Sequence, residues 1–326
     1  MNKILLTFVL IITLSTSLLS QENQTATKGG TPEKDIIKYL LNVKFRAGTF
    51  YTSKISEKTK VTRMYSDSSQ RVYTRKVEYY LTTQMFNSPS DGFQTLTITL
   101  DSLNYLFQDG DAVFDFNSTD MTGKAIRFKD LNYRTAAVGR TYEMIYSPYG
   151  DVANIQSDDI KETLEFVRDN SKGLSSIDIF IWNNGLCKEH LEYLGDLKKI
   201  IIPNYKLPID SVWYSPFIFE INGYNIYDTL ALKIKDYNTG IFTIEGESTA
   251  FHHFDRKFMT YDVKETVPII ASKGKGNFKM ILKATGEILK SEINYDTFFK
   301  IPVDEDYFLE HSETYVTFEV LKRLPL

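Results

Sequence analysis

Apolar and polar residues alternate along much of the chain after residue 37. The alternation is clear at residues 77–86 and strict at residues 95–100. A period of two, with many Thr, Tyr and β-branched residues, is typical of antiparallel strands that turn one face toward a core. We therefore predict an N-terminal antiparallel β region over residues 37–156. The apolar positions of these two segments are Val77, Tyr79, Leu81, Met85, Leu96, Ile98 and Leu100.

Helical spacing replaces the alternation in the middle of the chain. Ser157 suits an N-cap, and the residues after it predict a helix over residues 157–172. A second helix is expected over residues 186–199, and the apolar run at residues 177–182 predicts a short strand between the two. The helical connecting segment is thus placed at residues 157–203.

Alternation returns at Trp213 and continues to the end of the chain. Asn222-Gly223 predicts a hairpin turn, and residues 284–287 predict a second hairpin between strands at 278–283 and 288–293. Residues 204–326 therefore form a C-terminal antiparallel β region. The predicted fold class is mainly β (α+β), with either two antiparallel sheets or one large curved half-barrel and a short helical middle segment.

The first residues have the features of a targeting signal. Lys3 precedes an apolar run at residues 4–14, and small polar residues follow up to Ser20. We expect residues 1–20 to be a signal peptide and residues 21–36 to be a flexible leader. The apolar run is shorter than the roughly 20 residues that a membrane-spanning helix needs, so the mature chain is expected to contain no transmembrane span. The predicted location is the periplasm, the outer envelope or the extracellular space.

Composition excludes several classes of protein. The 326 residues are 42% hydrophobic and 14% aromatic, which is enough to build a sizeable core, and the single Cys excludes a disulfide framework. Lys plus Arg number 38 and Asp plus Glu number 42. The net charge of -4 therefore gives no electrostatic reason to expect nucleic acid or an anionic membrane as a partner.

Local motifs for catalysis or metal binding are absent from the sequence. It contains no nucleophile elbow, no zinc-protease helix motif and no phosphate-binding loop. His252, His253 and Asp255 alternate between the two faces of a strand, so they do not converge on one ion. Asp109, Gly110 and Asp111 predict a hairpin turn in preference to a calcium loop. We expect no catalytic residue, metal or cofactor.

Aromatic side chains are the remaining candidates for a binding site. Rings at adjacent positions, such as Tyr79-Tyr80 and Phe298-Phe299, lie on both faces of a strand. Such rings indicate either two covered faces or a concave apolar surface that holds a nonpolar ligand. The candidate ligand-binding residues lie at the start of a predicted strand: Trp213, Tyr214, Phe217 and Phe219.

Three local patterns carry a resemblance to a known family. They are the strand start at residues 45–51, the hairpin that begins at Gly139, and the leucine helix, proline stretch and strand over residues 191–213. With them the chain resembles an uncharacterised family of exported, β-rich bacterial proteins with a domain of unknown function. Ile209-Asp210-Ser211-Val212-Trp213 lacks the glycine of the family's Gly-Asp-Ser-Trp-like strand start. More distantly, the pattern is similar to the half-barrels of lipoprotein-localisation carriers.

The leading functional hypothesis is a non-enzymatic envelope protein that binds an apolar ligand or lipid in a concave sheet. The alternative is a surface structural or protein-interaction module, which uses exposed strand edges to bind an envelope protein. A hydrolase with paired carboxylates is a third hypothesis, since such pairs have no local signature. Two carboxyl side chains in one pocket are the observation that would favour it.

Overall fold

Long antiparallel strands dominate the architecture. The computed structural model describes residues 36–44, 46–85, 92–120, 129–147, 150–221, 224–253, 269–303 and 306–325. The chain divides into the units Met1–Ile36 and Ile37–Leu326, and the elements below belong to the second unit. The predicted signal peptide, residues 21–35 of the leader, the Asn222-Gly223 turn and Asp255 lie outside the described residues.

The strands vary from two residues to twenty. They are β1 (Lys38–Tyr39), β2 (Thr49–Tyr65), β3 (Gln70–Met85), β4 (Gln94–Asp109), β5 (Ala112–Asn117), β6 (Thr141–Tyr146), β7 (Val152–Gln156), β8 (Leu207–Pro208), β9 (Val212–Ile221), β10 (Tyr224–Asn238), β11 (Ile241–Ser248), β12 (His252–His253), β13 (Ala271–Lys283), β14 (Ile288–Val303) and β15 (Asp306–Pro325).

Thirteen of the described strands form one antiparallel sheet. Its order is β10-β11-β13-β14-β15-β2-β3-β4-β6-β7, with β9 and β12 paired to β10 and β5 paired to β4. β1 and β8 form a separate two-stranded sheet. The mainly β fold class is confirmed, with one large curved sheet as the arrangement. The domain boundaries given above stay predictions.

The two β regions join where the first long strand meets the last. β2 and β15 pair along their whole length, from Thr49 opposite Pro325 to Tyr65 near Phe308. The predicted alternation is confirmed in the strands that follow β2, because Val77, Tyr79 and Leu81 are buried. The hairpins predicted at residues 109–111 and 284–287 are confirmed as the β4–β5 and β13–β14 turns.

The helices are short and lie between β5 and β8. They are α1 (Lys129–Thr135), α2 (Asp158–Asp169), α3 (Ser176–Gly185) and α4 (Lys188–Gly195), and a single 3-10 turn (Ser171–Gly173) follows α2. The Ser157 side chain accepts a hydrogen bond from the backbone N–H of Ile160, so the predicted N-cap of α2 is confirmed.

The predicted strand at residues 177–182 is wrong, because this segment lies within α3. The Ser175 side chain caps the helix by accepting from the backbone N–H of Asp178 at 3.1 Å. Ile177 and Ile181, four residues apart, place their side chains on one buried face. The apolar run fits either element, and the cap and the packing against α1 decide in favour of the helix.

The second predicted helix ends earlier than expected. The Asp196 carboxylate accepts hydrogen bonds from the backbone N–H groups of Lys198 at 3.0 Å and Lys199 at 3.1 Å. These bonds replace helical backbone bonds, and Lys199 adopts a positive φ of 61°. The chain therefore leaves the helix at Asp196, and residues 196–203 run as an irregular segment toward β8.

α4 lies between the two edges of the sheet. β7 pairs with β6 alone and β9 with β10 alone among the described strands, and α4 packs against both β7 and β9. The Tyr142 hydroxyl on β6 donates to the carbonyl of Leu191 at 2.9 Å, and the Tyr193 ring meets Phe219 on β9 at 6.0 Å between centroids. A helix in this position covers strand edges that would otherwise present unpaired backbone groups.

The inner face of the sheet contains a buried ionic network. Arg75 and Arg134 both donate to Glu57, at 3.0 and 3.1 Å, and Arg63 donates to Glu310 at 2.8 Å. All five side chains are buried. Charges held in a low-dielectric interior need such hydrogen-bonded partners, so removal of one charge leaves the others under-compensated.

Glu57→Ala is expected to lower the free energy of unfolding by about 3–5 kcal/mol, because two buried guanidinium groups lose their shared carboxylate. Urea denaturation followed by circular dichroism measures the change. The matched control is Glu313→Ala on β15, which removes an exposed ion pair with Lys60 and is expected to cost less than about 1 kcal/mol. Equal losses in the two variants would show that the network contributes no more than a surface pair.

Candidate binding site

The structure separates the four aromatic residues that the sequence analysis groups together. Trp213, Phe217 and Phe219 are buried on the inner face of β9, and Tyr214 lies on the outer face with 68% of its surface exposed. The Trp213 indole donates to the carbonyl of Ile201 at 3.1 Å. Tyr214 therefore cannot share a site with the other three on one face of the strand.

The inner rings pack against other rings of the core. Phe219 stacks on Tyr295 with centroids 4.7 Å apart, and Phe217 meets Phe278 edge-on at 6.1 Å. Gly276 gives the Tyr295 ring its place, because a Cβ at that position would lie 2.5 Å from the ring. This packing is the core role that the sequence analysis offered as the alternative to a ligand surface. A ligand on these four residues stays a prediction.

A cavity of about 260 Å³ lies between α4, the start of β7 and the middle of β9. Its polar wall comes from Asp151, Lys188, Glu192, Asp196 and Lys199. We call this whole cavity the polar limb. Its apolar wall consists of Val152, Tyr193, Ile200, Ile201, Pro216 and Ile218.

A second cavity, of about 680 Å³, lies between α2 and α4. We call it the apolar limb. Lys188 lines both cavities, and both follow β7, which contributes Val152 to the first and Ile155 to the second. The two limbs are therefore neighbours at the β7 edge of the sheet, and we call them together the trough. The apolar side chains of the second limb are Ile155, Ile160, Leu164, Leu186 and Leu191. Its polar and charged lining residues are Gln156, Ser157, Asp158, Lys161, Glu165, Arg168, Asn183 and Lys188.

The Asp196 carboxylate accepts three hydrogen bonds from the protein. One oxygen accepts from the Tyr146 hydroxyl at 2.8 Å and from the backbone N–H of Lys198, and the other accepts from the backbone N–H of Lys199. Burial raises the pKa of the Tyr146 hydroxyl well above its usual range, and the negative charge of Asp196 adds to this rise. Asp196 therefore shapes the polar limb, and its second oxygen, which accepts only from Lys199 among the described residues, keeps one acceptor site.

Two other ionisable groups of the polar limb have strongly shifted pKa values. Burial raises the pKa of the Glu192 carboxyl to about 7, and repulsion by Asp196 adds to the shift. Burial lowers the pKa of the Lys199 ammonium group to about 8, against the attraction of Asp196 and Glu192. The Lys199 Nζ donates to the carbonyl of Tyr193 and lies 4.9 Å from the centre of its ring. Shifted groups in a cavity are typical of functional sites.

Sequence reasoning missed this site. Glu192, Asp196 and Lys199 lie close together on α4 and just after it, but their cavity also needs β7 and β9, which are distant in the chain. The only available signal was the pair Glu192 and Asp196, four residues apart on a predicted helix. In the described ranges, no three His, Cys, Asp or Glu side chains are placed to hold a metal ion.

Glu192→Gln is expected to remove a pH dependence of stability. From about pH 4.5 to 7 the folded wild type binds the Glu192 proton more tightly than the unfolded chain, so wild-type stability falls as pH rises. With allowance for partial solvent exposure, the fall amounts to about 2 kcal/mol. Urea denaturation at several pH values measures it. Glu162→Gln, on the exposed side of α2, should retain the wild-type slope; a slope retained by Glu192→Gln would contradict the assignment.

No helix of the described segments is long and apolar enough to cross a membrane.

No family model and no curated protein sequence matches the chain, so the family resemblance stays a prediction. Among solved structures, the chain is similar to lipovitellin, in a structure concerned with lipid–protein interactions, at 11% identity and a TM-score of 0.41; the match covers 86% of this chain and 26% of that chain. Neisserial surface protein A matches at 7% identity over 84% of this chain and 99% of that chain, with a TM-score of 0.20. OccK7 of Pseudomonas aeruginosa matches at 6% identity over 86% of this chain and 100% of that chain, with a TM-score of 0.22. The chain thus spans about a quarter of the lipovitellin chain, and these TM-scores carry no argument about its function.

Proposed function

We propose that the protein is a non-catalytic envelope protein that binds a single-chain amphipathic lipid in the trough beside β7. The observation that carries the proposal is that the apolar limb and the ionisable polar limb lie next to each other and share Lys188. The binding surface is therefore the outer side of α4 and the edge of the sheet. This position differs from the concave aromatic face that the sequence predicted.

The apolar limb suits a hydrocarbon chain. Its volume of about 680 Å³ falls within the range of small-molecule pockets, roughly 300–1,000 Å³. Ile160, Leu186 and Leu191 are buried at its base, and Leu164 is half-buried along its wall. A hydrocarbon chain that covers these groups removes apolar surface of the ligand and of the protein from water. This burial favours binding by about 25 cal/mol per Å², before the entropy cost of ordering the ligand and the side chains is subtracted.

The polar limb favours an acidic head group. Asp196 accepts three hydrogen bonds from the protein, and Glu192 is half neutral near pH 7 because of its raised pKa. Lys188 is exposed at the junction of the limbs, and Lys199 retains its proton below about pH 8. Below neutral pH the two lysines face two aspartates, Asp151 and Asp196, while Glu192 is mainly neutral. The ammonium groups of Lys188 and Lys199 are the groups that can pair with a sulfonate, phosphate or carboxylate head.

The predicted location agrees with this role. The sequence predicts a signal peptide at residues 1–20, and a protein exported to the envelope meets lipids and their breakdown products. α4 also covers the edges of β7 and β9, which leaves less free strand for the alternative function as an interaction module.

The second candidate is the carboxylate hydrolase. Glu192 and Asp196 line the same cavity, and a carboxyl with a pKa near 7 suits a general acid. Asp196 gives this candidate less support, because three protein hydrogen bonds tie its carboxylate to the backbone and to Tyr146. Release of nitrophenol from simple ester or glycoside substrates, lost in Glu192→Gln, would favour the hydrolase over the binding protein.

Leu164→Gln is expected to weaken binding of hexadecanesulfonate roughly tenfold, because the hydrocarbon chain of the ligand loses an apolar contact in the wall of the trough. Isothermal titration calorimetry below the critical micelle concentration measures the Kd. The sulfonate stays ionised across the accessible pH range, so a pH series reports on the protein. Affinity should fall as pH rises from about 6 to 9, because Glu192 gains charge and Lys199 loses it.

The matched control is Phe166→Gln on the same helix. Phe166 is 64% exposed and lies outside the trough lining, so this variant should bind like the wild type. Thermal unfolding of both variants shows whether they are folded. Mass spectrometry of lipids extracted from the purified protein identifies the natural ligand. Absence of both co-purified lipid and measurable sulfonate binding would refute the proposal.

A further inference from the structure

A groove of about 600 Å³ crosses the outer face of the sheet, the face that is turned away from the core. We call it the outer groove. Its lining comes from β9, β10, β11, β13 and β14, so the groove runs across the strands. From β9 to β14 it covers four strand-to-strand steps of about 4.8 Å, or roughly 19 Å. None of its lining residues also lines the trough.

The strand register places a row of short polar side chains along the outer groove. Glu247 of β11 lies opposite both Ala231 of β10 and Asn277 of β13. Asn294 of β14 lies opposite Asn277. Residues directly opposite each other on antiparallel strands share a face, so these side chains form one row. Tyr214 of β9 lies opposite Ala231 and extends the row at its end, with 68% of its surface exposed.

Charged side chains form a second row beside the first, and their charges cancel. The signs alternate from strand to strand in the register of the sheet: Lys233, Glu245, Lys279 and Glu292. The whole lining contains three lysines and three glutamates. Just outside it, Asp210 and Asp236 balance Lys275 and Lys290. A ligand with a large net charge therefore meets no complementary field in the outer groove.

The polar side chains of the first row are open to a ligand. Glu247, Asn277 and Asn294 are exposed, and their side chains make no hydrogen bond or ion pair with any other residue that the structure describes. An Asn amide both donates and accepts hydrogen bonds, and a carboxylate accepts them. The row therefore presents donors and acceptors side by side on neighbouring strands.

We infer that the outer groove binds a neutral oligosaccharide chain. Each sugar hydroxyl both donates and accepts a hydrogen bond, which matches the amides of Asn277 and Asn294 and the charged row beside them. The C–H face of a sugar ring packs against a flat aromatic ring, and Tyr214 presents such a ring at the end of the row. A length of roughly 19 Å holds several sugar rings in a line.

The lining of the outer groove favours a sugar over a lipid or a protein. A lipid chain would strip water from the lysines and glutamates and gain little apolar contact in return. The cores of protein interfaces are depleted of Lys and Glu, which are the commonest residues of this lining. The inference goes beyond the proposed lipid binding and does not depend on it, because the two sites share no lining residue.

Isothermal titration calorimetry of the purified protein with maltohexaose, cellohexaose, mannohexaose and chitohexaose tests the inference. Wild type should bind at least one of these sugars with a Kd of about 10 μM to 1 mM. Tyr214→Ala, and Asn277→Ala combined with Asn294→Ala, should each weaken that binding roughly tenfold. The affinity should change less than about twofold between about 0.05 and 0.5 M NaCl, because salt screens charges and the ligand has none.

Tyr307→Ala is the matched control. Tyr307 lies on β15 outside the lining and is 40% exposed, so its variant should bind the sugar like the wild type. Thermal unfolding shows whether the variants are folded. Hexadecanesulfonate binding should not differ between wild type and the groove variants, so the two sites are tested separately. Failure of all four sugars to bind, unchanged binding in both groove variants, an equal loss in Tyr307→Ala or a steep fall of affinity with salt would overturn the inference.

Discussion

The pairing of β2 with β15 is the interaction on which the rest of the structure depends. The residues that meet there are about as far apart in sequence as the chain allows, and the entropy of closing so long a loop opposes the contact. The entropy cost of closing the loop is offset by backbone hydrogen bonds along the full length of β2 and by side-chain hydrogen bonds between the two strands. Arg63 of β2 donates to Glu310 of β15, and Thr314 donates to Thr59. Buried polar partners of this kind tolerate only one register, so they fix how the two halves align.

Once β2 and β15 are paired, the candidate site follows from the curvature of the sheet. The edges of β7 and β9 both pack against α4, and the ionisable cavity is lined by residues of all three elements. Tyr142 and Tyr193 hold the helix through a hydrogen bond and a ring contact. The lysine and carboxyl groups at the end of α4 are thereby kept out of bulk water, which is why their pKa values shift.

The sequence patterns predicted the local elements of this structure but not the site that several of them form together. Alternation at residues 77–86 identified the buried face of β3, and Ser157 identified the start of α2, because both signals are local. The apolar run at residues 177–182 fits a strand or a helix equally well, and α3 was decided by its cap and by packing that the pattern does not contain. The polar limb depends on segments that meet only after folding, so Glu192 and Lys199 gave no signal beyond their spacing.

β15 occupies the middle of the sheet although it follows all the other described strands in the chain. During synthesis, β2 and β14 are made before residues 306–325. Until those residues are available, one side of the backbone of each strand stays unpaired. During that interval two long, β-prone edges face solvent, and such edges are templates for association between chains. Correct folding of this protein therefore competes with aggregation until residues 306–325 are available to pair with both edges.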